Sequence, residues 1–115
     1  MEQARAEFWL VDVIEHQKTC PSTFELPDEL NRKNVHVGEW AKLIFVFQGA
    51  REPEFERMWV RVVEVTSTAY RGVLDNQPTT SKCIAVGHRL SFEPKHIISI
   101  WPPRMYLEPF LPPPP

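Results

Sequence analysis

The chain has 115 residues, 43% of them hydrophobic and 24% charged, with a net charge of −2; this bounds it to one ordinary globular domain. It has no apolar run near the roughly 18 residues of a transmembrane helix, no basic leader among its first seven residues, and only two cysteines. These features exclude a membrane span, a signal peptide and a disulfide framework, and predict a cytoplasmic chain with Cys20 and Cys83 as thiols, a single bridge between them being left open.

Charge is unevenly spread. Residues 1–56 hold six Lys/Arg against eleven Asp/Glu, and residues 57–115 seven against four, so the halves carry −5 and +3. Such a dipole orients a charged partner, but it lacks the strongly basic footprint of a nucleic-acid binder.

In chain order, residues 8–14 (Phe8-Trp9-Leu10-Val11-Asp12-Val13-Ile14) read as a short covered strand, with helical continuation from Glu2 as the alternative. Residues 19–23 read as loop. Residues 27–32 suit one helical turn, with Pro27 and the acids Asp28 and Glu29 at its start, packing Leu26 and Leu30 on the sheet. A strong strand follows over residues 40–47. Period two puts Leu43, Phe45 and Phe47 on one face and Lys42, Ile44 and Val46 on the other.

Residues 49–56 form the turn to a second long strand, 57–65. There Met58, Val60 and Val62 share one face and Arg57, Trp59 and Arg61 the opposite one. Residues 66–69 close a hairpin into a strand over 70–74, and Asp75-Asn76-Gln77-Pro78 is a turn. Gly87 leads into a strand carrying Leu90 and Phe92 inward, Pro94 bends the chain, and residues 96–100 are the last strand.

The fold class that follows is mainly β: a small antiparallel SH3-like barrel or strongly curved sheet with one or two short helical turns, over residues 1–100. Residues 101–115 are proline-rich, and they read as a polyproline-type tail, either loose on the surface or a docking peptide for an aromatic groove.

The segments Glu56-Arg57-Met58-Trp59-Val60-Arg61-Val62, Tyr70-Arg71-Gly72-Val73-Leu74-Asp75-Asn76-Gln77-Pro78 and Val86-Gly87-His88-Arg89-Leu90-Ser91-Phe92-Glu93-Pro94-Lys95-His96-Ile97-Ile98 resemble a bacterial family of uncharacterised proteins, domain of unknown function 2314. Residues 23–27 and 37–45 also fit, so the likeness covers residues 22–100. His88 stands where that family usually has an acid, and the proline-rich tail is a second departure. The resemblance implies a β-rich domain with no agreed activity. Small domains related to it act as immunity or accessory proteins.

No catalytic constellation is legible. None of His16, His36, His88 and His96 has the helical pairing of a metalloprotease, and neither cysteine belongs to a Cys-x-x-Cys pair. Cys83 and His88 have no reason to approach within reach of proton transfer. No glycine-rich phosphate loop occurs. The expectation is a chain that is not an enzyme and needs no cofactor or metal.

The candidate partner-binding residues are Arg57, Trp59 and Arg61 on one strand face, extended by Tyr70 and Arg71, with Asp75 and Asn76 at the rim. Arginine stacks on indole, and both residue types concentrate at binding hot spots. The alternative is that Trp59 is core, with the arginines paired to Glu56 or Glu64. The expected function is a protein-binding module that inhibits or modulates a partner: an immunity, anti-defence or accessory protein of bacteria or a mobile genetic element. A barrel binding single-stranded nucleic acid is the alternative, disfavoured by the acidic balance.

Overall fold

The computed structural model describes residues 8–19, 25–103 and 114. Helical continuation from Glu2, the loop at 20–24, Cys20 and most of the proline-rich tail lie outside them. Six strands form one antiparallel sheet: β1 (Phe8–Leu10), β2 (Trp40–Phe47), β3 (Glu54–Val65), β4 (Tyr70–Leu74), β5 (Arg89–Phe92) and β6 (Ile97–Trp101). They follow the order β1-β2-β3-β4-β5, while β6 joins the edge of β2 that β1 leaves free. The sheet curls into a half-barrel. Among the described residues no ladder joins β5 to β1 or β6, so the strongly curved sheet, rather than a fully hydrogen-bonded barrel, describes it.

Alternation places the core as expected. Leu43, Phe45 and Phe47 meet Met58, Val60 and Val62 inside the curl, where Val35, Tyr70, Leu74, Phe92, Ile97 and Ile100 join them. Gly72 sits where β4 passes close against β3. A Cβ there would run into the Val60 side chain and lie 2.8 Å from the Arg61 carbonyl oxygen. Gly38 and Gly87, with φ of +94° and +95°, turn the chain just before β2 and β5 at angles other residues adopt only at a cost.

Three departures have clear causes. The apolar run at 8–14 is not one strand: β1 stops at Leu10 and helix α1 (Val13–Thr19) begins. Asp12 is its cap, its Oδ1 accepting from the N–H groups of Ile14 and Glu15, each at 3.1 Å. This helix lays Val13 over Ile44 and Ile98, making a second small core on the outside of the sheet with Leu26. Helix α2 (Glu29–Arg32) forms where expected, capped by Asp28. It leaves Leu30 exposed, however, and only Leu26 packs. The strand expected from residue 57 starts at Glu54, because β2 stays paired as far as Phe47 opposite Glu54.

A 3-10 turn (Pro94–His96) carries the chain from β5 to β6. His96 Nδ1 accepts from the Glu93 N–H at 2.9 Å, which requires the neutral ring. Burial holds its pKa below the ordinary histidine value; Glu93 and Asp12 oppose that shift, and Lys95 adds to it. None of the described helices is long and apolar enough to cross a membrane.

Candidate partner-binding face

The sheet register fixes which side chains share the outer face. One row crosses five strands: Trp101 on β6, Trp40 on β2, Arg61 on β3, Val73 on β4 and Arg89 on β5. The next row on one side holds Ser99, Lys42 and Trp59. On the other side, at the β4–β5 end, it holds Glu64, Arg71 and Ser91.

Arg57, Trp59 and Arg61 therefore do share a face, but not as an exposed arginine–tryptophan ladder. Trp59 is only 6% exposed and Trp40 7%. Each indole carries the cation of the residue directly opposite: Lys42 Nζ lies 5.0 Å from the Trp59 ring centroid, and the Arg61 guanidinium 5.5 Å from that of Trp40. Both are within cation–π range. Arg61 thus stacks on Trp40 rather than on Trp59, while Arg57 is exposed opposite Ile44.

The 75–80 loop braces this arrangement. Asp75 Oδ2 accepts the Trp40 indole N–H at 2.7 Å. The Asp75 N–H donates to the Trp59 carbonyl at 2.9 Å, and Asn76 Oδ1 accepts from the Trp59 N–H at 2.5 Å. Asp75 thus carries the β4 pairing with β3 one residue beyond Leu74 and the Asn76 side chain closes its end, a role that polar turn chemistry alone did not reveal. Further along, the carboxylate of Glu56 accepts from the backbone N–H and hydroxyl groups of both Thr79 and Thr80, at 3.0–3.2 Å. Burial pushes that carboxyl's pKa up, but the hydrogen bonds outweigh it and hold the group below the usual carboxylate value. Glu56 therefore holds the loop against β3.

Tyr70 does not extend the face. It is 2% exposed and stacked on Phe92 inside the curl. Its hydroxyl donates to the Arg32 carbonyl at 2.7 Å and accepts from the Val35 N–H at 3.2 Å, tying α2 to the core. Arg71, its neighbour, points the other way and is exposed, with Glu64 at 3.8 Å.

What the register assembles instead is a cationic and apolar surface. Arg61 and Arg89 stand two strands apart, about 10 Å, with Val73 between them and Arg71 in the adjoining row. Val63, the extra residue at the β3 bulge, is exposed beside them. A groove of about 350 Å³ runs between Arg61 and Asp75 over Val37, Val63 and Val73. A larger cleft, about 590 Å³, lies between α2, the β3–β4 turn and the 3-10 turn; its rim mixes Arg32, Lys33 and Lys95 with Glu29 and Glu93. Among the described residues no three His, Cys, Asp or Glu side chains are placed to hold a metal, and Cys83 is an exposed free thiol. At the far end of the outer face, Trp9 and Phe55 flank Val46 and are 49% and 63% exposed.

Comparison with protein family models, curated proteins and solved structures finds no match to this chain.

Proposed function

We propose that this chain is a non-enzymatic protein-binding module that captures an acidic segment of a partner on Arg61, Arg71 and Arg89. The observation that carries this reading is the five-strand row: two arginines flank an apolar residue, a third stands alongside, and an apolar groove opens next to them. Arginine is one of the residue types enriched at interface cores and binding hot spots. The only carboxylate in ion-pair range of these three guanidiniums among the described residues is Glu64, at 3.8 Å from Arg71.

A single-stranded nucleic acid is the weaker reading. Such binding needs aromatic faces for bases to stack on, whereas Trp40 and Trp59 are buried under their own cations. The exposed aromatics, Trp9 and Phe55, flank Val46 at the far end of the outer face, away from the row that holds Arg61 and Arg89. Immunity, anti-defence or accessory roles in bacteria or on a mobile element, and a cytoplasmic site of action, remain part of the proposal on the strength of the resemblance to domain of unknown function 2314.

The test is a titration of the full chain with a glutamate-rich peptide and with an oligo-dT of equal charge, at low and high salt. Peptide binding that weakens with salt and disappears in the Arg61→Glu/Arg89→Glu double variant supports the reading. Equal or tighter binding of the oligonucleotide, or peptide binding indifferent to the double substitution, overturns it.

A further inference from the structure

We infer that the acidic segment binds as an extended strand added to the free edge of β5, an inference that rests on the arginine-face reading above. Among the described residues β5 pairs with β4 alone. The phase of that ladder is set by two bonds. The Leu74 N–H donates to the His88 carbonyl, and the Asp75 N–H donates to the Trp59 carbonyl on the opposite side of the chain. Antiparallel pairing alternates, so Leu90 and Phe92 turn their N–H and C=O groups toward β4. Arg89 and Ser91 turn theirs outward, and both residues are exposed. Among the described residues, two donors and two acceptors at the spacing of an extended chain therefore stand open at this edge. They lie beyond the point where the His88 ring meets that of Phe8 on β1, with centroids 5.7 Å apart.

The same geometry selects the side chains of the incoming strand. On the outer face they would extend the Arg61–Val73–Arg89 row and the row holding Arg71 and Ser91, so carboxylates are favoured there. On the inner face they would lie beside Leu90, which is half-buried against the core, so apolar residues are favoured. The ligand class is a short peptide alternating acidic and apolar residues. A second copy of this chain is disfavoured as occupant, because it would bring the same arginine-bearing edge against itself. Nucleic acid lacks the backbone ladder altogether.

The probe is a capped Val-Glu-Val-Glu-Val-Glu-Val peptide titrated into the full chain, followed by amide NMR and fluorescence anisotropy. Three comparisons isolate the edge. One is the same peptide N-methylated at alternate amides, the second a lysine-for-glutamate peptide, and the third the Ser91→Pro variant, which deletes an outward N–H at an edge position where proline is tolerated. The inference expects slowed exchange of the Arg89 and Ser91 amides on binding. It also expects at least tenfold weaker binding of one N-methylation register, of the lysine peptide and of Ser91→Pro. The N-methylated peptide keeps the test decisive if Ser91→Pro does not fold.

Undiminished binding of both N-methylation registers, with shifts confined to the arginine side chains, overturns strand addition while leaving the acidic-partner reading intact. No binding of the glutamate peptide overturns both. Dimerisation of the free chain that is lost in Ser91→Pro makes a second copy the occupant and overturns the acidic peptide.

Discussion

The indole N–H of Trp40 donates to Asp75 Oδ2 at 2.7 Å across 35 residues of sequence. This bond joins the first residue of β2 to the loop after β4, and so locks two outer strands' worth of register around β3. It also sets the plane of the ring on which Arg61 rests. Of the three arginines on the face, Arg61 is the one this bond supports.

Asp75→Ala should accordingly cost about 1–2 kcal/mol, because the indole N–H of the buried Trp40 loses its acceptor. Urea unfolding followed by tryptophan fluorescence measures it. Asp75→Asn, which keeps an acceptor, should recover more than half of the loss.

Tyr70→Phe removes a hydroxyl that both donates and accepts inside the curl. The Val35 N–H, on a residue 1% exposed, is left without its acceptor, so the loss should reach about 1–3 kcal/mol. Thermal melts of the two proteins give the comparison, and hydrogen exchange should show the Val35 amide opening first.

Gly72→Ala introduces a methyl group against the Val60 side chain and the Arg61 carbonyl. Backbone must move to admit it, so a loss of about 1–3 kcal/mol or more is expected. Val60→Ala in the same chain should restore part of it, because Val60 supplies one of the two clashes. Non-additivity in that double-mutant cycle is the readout.

Acid should unfold the chain in two stages. His96 has its folded pKa lowered from 6.5, so the unfolded chain takes up the proton first and stability falls as pH drops below that value. Glu56, lowered from 4.5, adds a second decline below that pH as its bonds to Thr79 and Thr80 are lost. Denaturant midpoints measured from pH 8 to pH 3 should show both declines. Glu56→Gln should shrink only the lower one, to which Glu29 beside Lys33 also contributes, at the expense of about 1–2 kcal/mol at neutral pH.

Much of the interior was legible in the sequence, because alternation is a property of the chain alone. Leu43, Phe45, Phe47, Met58, Val60 and Val62 lie where period two puts them. The same rule separates Tyr70 from Arg71, since neighbours on a strand face opposite ways; joining them in one patch overlooked it. The start of α1 was also written in the sequence, as Asp12 followed three residues later by Glu15. The β-branched run around it masked that signal.

Arg89 shows what was beyond reach. Its outward direction follows from Leu90 and Phe92, but its alignment with Arg61 depends on the register of β3, β4 and β5 together. That register passes a bulge at Val63 which no residue type announces. The burial of Trp59 likewise needs Lys42 opposite it, a fact of pairing rather than of composition.

The edge that β1 and β6 divide between them has a consequence for synthesis. β1 can cover residues 45–47 as soon as β2 emerges, but residues 40–43 wait for β6. Until Trp101 has left the ribosome, the nascent chain therefore displays a four-residue stretch of unsatisfied, largely apolar strand. A chain truncated before residue 97 lacks β6 and leaves that stretch of β2 uncovered, an open edge of the kind that templates aggregation.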